Sequence, residues 1–354
     1  MEKSKKVICP DCGDVVEAVS GLDRRGFLKS AAVAAAAGAL PLWAEPRVTA
    51  APAADSAAEK LVKTLYEKLT DEQKKKVCFD WDYKDSRGLL RTHVSNNWQI
   101  TQQKVDSSFY TKEQRELIFE IFKGIFNPDW HARLRKQLKD DSGGDFGHQQ
   151  SIALFGTPGS GKFQFVMTGR HMTIRADGDS GDHMALGGPI FHGHAASGFT
   201  ERVHHPNNIF WHQALEANKV YQVLDGKQQE KALVSRRPAE AAISFRGKDG
   251  KFPGIPISDL SKDQKTAVHK VLMSLLDPYR KEDKDEVQEC LKKQGGLEKC
   301  SLAFYKDGDL GDDGEWDNWR LEGPSFVWYF RGTPHVHIWI SVADDPSVKI
   351  TTKG

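Results

Sequence analysis

Histidine is the residue type whose number and spacing in this chain could support chemistry. Seven of the 13 histidines fall between positions 171 and 212, and two more belong to the segment His335-Val336-His337. In a β-strand, residues two apart point to the same side, so His335 and His337 would project together, with Trp339 beside them. The apolar residues between them would face a core. The spacing therefore predicts two imidazoles on one strand face.

Two imidazoles on one face can bind one metal ion if a neighbouring strand supplies a third ligand. His171 is the best candidate, because it opens a predicted strand in another part of the chain. The predicted metal ligands are therefore His171, His335 and His337. The pair His192 and His194 has the same spacing and competes with them. Side chains that could complete the site are His192, His194 and His212 as ligands and Glu322 as a group that hydrogen-bonds to a ligand.

The ligand type limits the metal and, through it, the reaction. Imidazole-rich sites without thiolate suit zinc, copper, iron or nickel. Met172 and Met184 each follow a histidine, which slightly favours copper. Zinc with an open coordination position would lower the pKa of a bound water and support hydrolysis, whereas copper or iron would support oxidation. We therefore expect an exported metalloprotein, and the sequence leaves its metal, reaction and substrate open.

A function of a different class is suggested by the aromatic residues. Aromatic residues make up 10% of the chain and include nine tryptophans. Trp211, Trp328 and Trp339 could line a groove that binds a small ligand without catalysis. This alternative predicts a dry aromatic groove and histidines that do not converge.

The segment from Gly156 to Lys162 has the spacing of a phosphate-binding P-loop. However, Phe163 occupies the position at which a Ser or Thr hydroxyl would bind Mg²⁺, and a strand rather than a helix follows. A turn between two strands explains these residues better. We therefore expect no nucleotide cofactor.

Two acidic loops, at 177–182 and 307–315, could bind calcium but do not fit the EF-hand spacing, so we interpret them as solvated turns. Cys290 and Cys300 flank a Gly-Gly pair and are predicted to form a disulfide in an oxidising compartment, which leaves Cys78 free. Cys9 and Cys12 resemble half of a zinc ribbon, a structure that needs four ligands.

The N-terminal region predicts export. Arg24 and Arg25 precede Phe-Leu-Lys and then an Ala-rich run at 31–44, the pattern of a twin-arginine signal. The run is shorter than the roughly 20 apolar residues that a transmembrane helix needs. We expect recognition by the twin-arginine translocation machinery, a periplasmic mature protein and no membrane anchor in that mature form.

Composition limits the partners and the organisation. The formal net charge is +1, with 50 basic and 49 acidic residues, so electrostatics give no reason to expect nucleic acid as a partner. The predicted boundaries are a signal and the start of a linker at 1–50, an Ala/Pro-rich linker at 51–60, and one domain at 61–354.

The fold class expected from the periodicity is α+β. Strands are predicted at 151–156, 162–168 and 171–176 as an antiparallel meander, at 325–330 and 335–342 as a C-terminal hairpin, and at 78–83. Four capping boxes, which begin at Thr70, Thr111, Asp225 and Ser261, predict helix starts. We interpret them as recurring helix starts rather than an internal repeat. The expected architecture is an antiparallel sheet with a flanking helical layer.

The C-terminal motif resembles that of a known family. The segments Leu-Glu-Gly-Pro-Ser-Phe-Val-Trp at 321–328 and Pro-His-Val-His-Ile-Trp at 334–339 are similar to the closing motif of the domain of unknown function 3500 family. That motif runs Asp-Gly-Pro, an aromatic strand, His-x-His and Arg-Asp. Here Glu322 replaces the Asp, and the ending at 341–344 differs.

Three further segments resemble the same family. They are Gly-Arg-His-Met-Thr-Ile at 169–174, Pro-Ile-Phe-His-Gly-His at 189–194 and Leu-Ser-Lys-Asp-Gln at 260–264. The resemblance covers roughly residue 64 to the C-terminus. It implies a shared fold and supports the choice of His171, His335 and His337, but the family has no established activity and supplies no reaction.

Overall fold

The computed structural model describes residues 5–8, 15–18, 52–53, 56–181, 183–194, 208–240, 242–309, 311 and 314–353. The twin-arginine pair and the Cys9/Cys12 pair lie outside these residues. Eight α-helices are described: α1 (Ala57–Lys68), α2 (Asp71–Val77), α3 (Lys112–Ile125), α4 (His131–Ser142), α5 (Trp211–Gln222), α6 (Gly226–Ala232), α7 (Lys262–Leu276) and α8 (Lys281–Lys293).

The strands of the same residues are β1 (Lys5–Ile8), β2 (Val15–Ala18), β3 (Cys78–Phe79), β4 (Lys84–Asp85), β5 (Gly88–Leu89), β6 (His93–Ser95), β7 (Ser151–Gly156), β8 (Phe163–Gly169), β9 (Met172–Ala176), β10 (Ile190–His194), β11 (Leu233–Val234), β12 (Ile255–Pro256), β13 (Ser301–Tyr305), β14 (Asn318–Gly323), β15 (Phe326–Arg331), β16 (Val336–Val342) and β17 (Thr351–Lys353).

All four predicted capping boxes are present, at the starts of α2, α3, α6 and α7. Their glutamines also join the helix starts in pairs. The Nε2 groups of Gln73 and Gln114 each donate to the Oε1 of the other at 2.9 Å. Gln228 and Gln264 make the same reciprocal pair at 3.2 and 2.7 Å. The residues that begin the helices therefore also fix which helix starts lie together.

One mixed sheet of eleven strands dominates the fold, in the order β11-β13-β14-β15-β16-β10-β9-β8-β7-β3, with β12 paired to β13. The edge strands β3 and β11 run parallel to their neighbours, and the other pairs are antiparallel. The α+β class is confirmed. The predicted meander and C-terminal hairpin are not separate units, however, because β10 lies between β9 and β16 and joins them. The sequence patterns missed β10, β13 and β14.

The second half of the chain repeats the first. Helices α1 and α2 lead to the edge strand β3, and α5 and α6 lead in the same way to the edge strand β11. Helices α3 and α4 then precede β7 to β10, as α7 and α8 precede β13 to β16. The sheet order reads the same from either edge to the centre. The prediction of recurring helix starts without an internal repeat is therefore wrong.

The repeat leaves a weak trace in the sequence. Ser-Ile-Ala-Leu-Phe at 151–155 corresponds to Ser-Leu-Ala-Phe-Tyr at 301–305, and Thr-Lys-Glu-Gln at 111–114 corresponds to Ser-Lys-Asp-Gln at 261–264. Few identities survive between the halves, and the loops differ in length. At the centre of the sheet, Ile190 of β10 pairs with its own equivalent, Ile340 of β16. The pseudo-twofold axis therefore passes through this pair.

The two faces of the sheet are covered differently. The main hydrophobic cluster joins the helices to one face and includes Val336, Ile338 and Ile340. The opposite face carries Trp339 in a smaller cluster, which segments outside the helices cover. The predicted alternation along β16 is thus confirmed, and His335 and His337 lie on the side away from the helices.

Two predictions, one about a loop and one about the cysteines, have clear outcomes. The P-loop-like segment is a turn between β7 and β8, in which Thr157 N donates to the carbonyl of Lys162 at 3.1 Å. Cys290 and Cys300 are free thiols, so the disulfide prediction is wrong. Cys290 hydrogen-bonds the backbone of Ala185, whereas Cys300 packs against Gly323, so the two sulfurs face different neighbours.

The acidic loop at 177–182 is not simply a solvated turn. Asp177 is 4% exposed, and its Oδ2 accepts a hydrogen bond from Gly181 N at 2.5 Å. Glu286 of α8 accepts one from Leu186 N in the same connection at 2.9 Å. Burial raises the pKa of Asp177 to about 7, and the charges of nearby carboxylates add to this effect. A buried acid of this kind makes folding pH-dependent.

We predict that Asp177→Asn reduces the loss of stability at alkaline pH. The carboxyl has a higher pKa when folded than its unfolded value of about 3.9, so its contribution is greatest below that value and is lost as the pH rises through about 7. Between pH 5 and 8, the free energy of unfolding of the wild type should fall by about 2 kcal/mol more than that of the variant. Denaturant unfolding at both pH values measures the difference.

The matched control is Asp82→Asn, which makes the same change at an exposed position away from this loop. This control should follow the wild type. Contributions from buried histidines are common to all three proteins and cancel in the comparison. Equal pH dependence in the wild type and Asp177→Asn would contradict the prediction.

Candidate metal centre

Three buried histidines converge at one end of the β10–β16 pair, where the last turn of α4 also reaches them. His171, His335 and His337 each offer a ring nitrogen, and these three atoms lie within 4.8 Å of one another. The ring centroid of His171 lies 5.0 Å from the ring centroid of His335 and 5.1 Å from that of His337. All three residues are at most 1% exposed. The structure therefore brings together the three side chains that the sequence selected, two from the second half of the chain and one from the first.

His171 is placed by the tight turn between β8 and β9. Its φ of 55° is unusual for a residue with a side chain. Its N–H donates to Asn96 O at 3.2 Å, and its carbonyl accepts from Gly193 N at 3.0 Å. A Cβ on Gly193 would lie 2.9 Å from the His171 ring. Glycine at 193 therefore makes room for this imidazole.

His335 and His337 are placed by the start of β16. The strand begins after a turn that contains the cis peptide between Thr333 and Pro334. His337 pairs with Gly193 across the centre of the sheet, which sets it opposite the turn that carries His171. The Nε2 atoms of His335 and His337 are 2.9 Å apart.

Carboxylates orient two of the imidazoles by contacts at Nδ1, on the side of the ring opposite Nε2. His337 Nδ1 lies 2.8 Å from Glu240 Oε2, and His171 Nδ1 lies 3.0 Å from Asp141 Oδ2. A carboxylate accepts, so each Nδ1 carries the proton and each Nε2 presents a lone pair. His171 Nε2 is buried and has no hydrogen-bond partner among the described residues.

The two carboxylates are themselves held in place. Glu240 also contacts the Arg331 guanidinium and accepts from Trp339 Nε1 at 3.3 Å. Asp141 Oδ1 lies 3.3 Å from His194 Nδ1. Burial acts to raise the pKa of Asp141, but its hydrogen bonds and electrostatic interactions with His171 and His194 outweigh burial and lower the pKa. Asp141 is therefore ionised.

The imidazoles of His335 and His337 are kept in the form that binds metals. Burial lowers the pKa of both His335 and His337 well below the usual value, and neighbouring positive charge, including that of Arg331, acts in the same direction. Neutral imidazole is the metal-ligating state.

The other predicted contributors lie elsewhere. His192 faces the helices, where its Nε2 lies 2.9 Å from Tyr279 Oη and burial lowers its pKa to about 3. His212 Nδ1 donates to Ile209 O at 3.0 Å. His194 contacts Asp141, with its Nδ1 3.3 Å from Asp141 Oδ1. Glu322 forms ion pairs with Arg320 and Arg246 rather than with a histidine.

The groups that orient the ligands, Asp141 and Glu240, were not predicted. Asp141 lies near the end of the charged helix α4, and Glu240 lies outside any helix or strand. Neither has a spacing that links it to a histidine. Their roles depend on contacts between distant parts of the chain, and no local sequence signal marks them.

The packing supports neither the two methionines as a sign of copper nor the predicted aromatic groove. Met172 belongs to the hydrophobic cluster under the helices, and Met184 pairs with Ala343 at the far end of β16. Trp211 and Trp328 lie in the helix-side cluster, whereas Trp339 lies on the opposite face. These three tryptophans therefore do not line one groove, and the histidines do converge.

Comparison with known proteins adds the export signal and the family. Residues 21–41 match a twin-arginine translocation signal, so the chain is exported to the periplasm as predicted. In the part of the chain that the structure describes, none of the helices is both long and apolar enough to span a bilayer. No curated protein and no solved structure matches. Residues 51–343 match the family described as protein of unknown function DUF3500, and the chain belongs to that family.

Proposed function

We propose that this exported protein binds one transition-metal ion through the Nε2 atoms of His171, His335 and His337 and uses it as a catalytic centre. The observation that carries the proposal is the convergence of three buried imidazoles, two of which are oriented by carboxylates at Nδ1. This is the arrangement in which metal-binding histidines are usually held.

A purely hydrogen-bonded histidine cluster explains less. A single proton between the Nε2 atoms of His335 and His337 would satisfy that pair. It would leave the buried Nε2 of His171 without a partner, at a cost of about 1–3 kcal/mol. A metal ion satisfies all three lone pairs at once. The carboxylates of Asp141 and Glu240 also place negative charge beside it.

The number of protein ligands favours catalysis over a structural role. Structural zinc sites are usually closed by four protein ligands, whereas catalytic sites have three and leave a position open. Thiolate is absent from the cluster. With zinc, the open position supports hydrolysis, and with iron or copper it supports oxidation. The chain's own contribution is to orient the imidazoles of His171 and His337 and to hold those of His335 and His337 neutral.

We predict that metal content depends on the two strand histidines. Protein purified from the periplasm without a His-tag should contain about one transition-metal ion per chain by elemental analysis. His335→Ala and His337→Ala should each lower this value to background, because two remaining imidazoles bind a divalent ion far more weakly. The matched control is His269→Gln, which removes an exposed histidine from α7. It should retain the wild-type metal content.

Circular dichroism should first show that the alanine variants are folded. The proposal fails if the folded wild type carries no stoichiometric metal after exposure to zinc, copper and iron. It also fails if the folded alanine variants retain a full equivalent of metal.

We predict that Glu240→Gln weakens metal binding while Glu322→Gln does not. Both residues are buried glutamates paired with arginine, but only Glu240 contacts a proposed ligand. Loss of the charge behind His337 should lower affinity about 10–100-fold. Competition with a chromophoric chelator measures the dissociation constant of each variant. An equal effect of the two substitutions would show that Glu240 acts only on folding.

A further inference from the structure

A cleft lies at the opposite end of β16 from the histidine cluster. It has a volume of about 350 Å³, within the range of small-molecule sites. The residues that matter for the argument are His183, Lys248, Lys293, Gln294 and Asp344. Two prolines, Pro324 and Pro346, form the apolar part of its wall.

The cleft occupies the place that is equivalent to the metal centre in the other half of the chain. The β14–β15 turn pairs Gly323 with Phe326, as the β8–β9 turn pairs Gly169 with Met172. Ser325 therefore takes the position of His171. Its carbonyl accepts from Ala343 N at 2.8 Å, as that of His171 accepts from Gly193 N.

The two strand histidines have no counterpart at this place. Gly193, which pairs with His337, corresponds to Ala343, and Ala343 pairs with Met184. A 3-10 turn at Ala185–Gly187 stands before β10, so the chain at this place follows a different path from the start of β16. In this half the cleft has acquired a different set of polar groups.

Those groups form an ordered cluster around Asp344. His183 Nδ1 lies 2.7 Å from Asp344 Oδ1, and Lys293 Nζ lies 2.6 Å from Asp344 Oδ2. Burial acts to raise the pKa of Asp344, but the hydrogen bonds from Lys293 and His183 outweigh it and lower the pKa. Each oxygen of the Asp344 carboxylate thus already accepts a hydrogen bond, one from His183 and one from Lys293.

Two hydrogen-bond donors in the cleft have no acceptor among the described residues. Lys248 is exposed and makes no ion pair among the described residues. Gln294 is 6% exposed, and its Oε1 accepts from Ser325 N at 2.8 Å, while its Nε2 has no partner in the described part of the chain. An unsatisfied buried amide is rare in folded proteins.

His183 has the backbone strain that is often found at binding sites. Its φ of 69° is costly for a residue with a side chain. The strained backbone is fixed by the bond from Asp344 N to His183 O at 3.0 Å. It places an imidazole, more than half of which is exposed, at the edge of the cleft.

We propose that this cleft binds a small organic anion, whose oxygens are held by Lys248 and by the Gln294 amide beside the His183-Asp344-Lys293 cluster. The prolines contact the apolar body of the ligand. Asp345 lines the outer edge, where its Oδ1 accepts from Ser347 N at 2.8 Å. This second site is independent of the metal centre.

Calorimetric titration of the exported protein tests the proposal with three probes: benzoate, inorganic phosphate and the neutral analogue benzamide. The titrations are repeated with Lys248→Gln and with the control Lys270→Gln, which removes an exposed lysine of α7. The double variant His335→Ala/His337→Ala removes the proposed metal ligands and so excludes anion binding to a metal ion.

We expect an anion to bind to the wild type, to Lys270→Gln and to the double histidine variant with similar dissociation constants. Lys248→Gln should weaken this binding about tenfold or more, because it removes a charged hydrogen-bond donor. Tighter binding of benzoate assigns the site to carboxylates, and tighter binding of phosphate assigns it to phosphates. The proposal is overturned if neither anion binds, if benzamide binds as well as benzoate, or if the two lysine variants behave alike.

Discussion

The antiparallel pairing of β10 with β16 is the constraint on which the rest of the structure depends. It joins the two repeated halves into one sheet through the pair Ile190 and Ile340. The same register sets His337 opposite Gly193, and the missing side chain of that glycine gives the His171 ring its space. A shift by one residue would turn every side chain of β16 to the other face and disperse the cluster. The candidate metal centre therefore depends on the pairing of β10 with β16, which joins the two halves.

The repeated order of elements in the two halves explains why the β10–β16 pair can have a different site at each end. The pseudo-twofold axis places an equivalent turn beside each end of the β10–β16 pair. At one end the turn and the strand carry His171 and His337, and at the other the corresponding places hold Ser325 and Met184. Imidazoles that include two backed by carboxylates suit a cation, whereas Lys248 and the Gln294 amide of the second cleft suit an anion. The fold sets the positions of the two sites, and a few side chains determine which ligand each site can bind.

Local patterns predicted the parts of this protein better than their assembly. The i, i+2 spacing of His335 and His337 and the four capping boxes depend on strand and helix geometry alone, so they could be read from short segments. The sheet order depends on pairing between distant strands, which no segment encodes by itself. Asp141 and Glu240 reach their histidines through such tertiary contacts. Glu322 was a reasonable guess from its position near the C-terminal motif, but the strand register carries it to Arg320 and Arg246 instead.

X-ray absorption spectroscopy at the edge of the metal that co-purifies with the periplasmic protein tests the central claim most directly. A site built by His171, His335 and His337 should give a first shell with three nitrogens at about 2.0–2.1 Å, together with the outer-shell scattering of imidazole rings. The imidazole scattering should disappear in the folded His337→Ala variant. A first shell of oxygens without imidazole scattering, or a spectrum that His337→Ala leaves unchanged, would contradict the account.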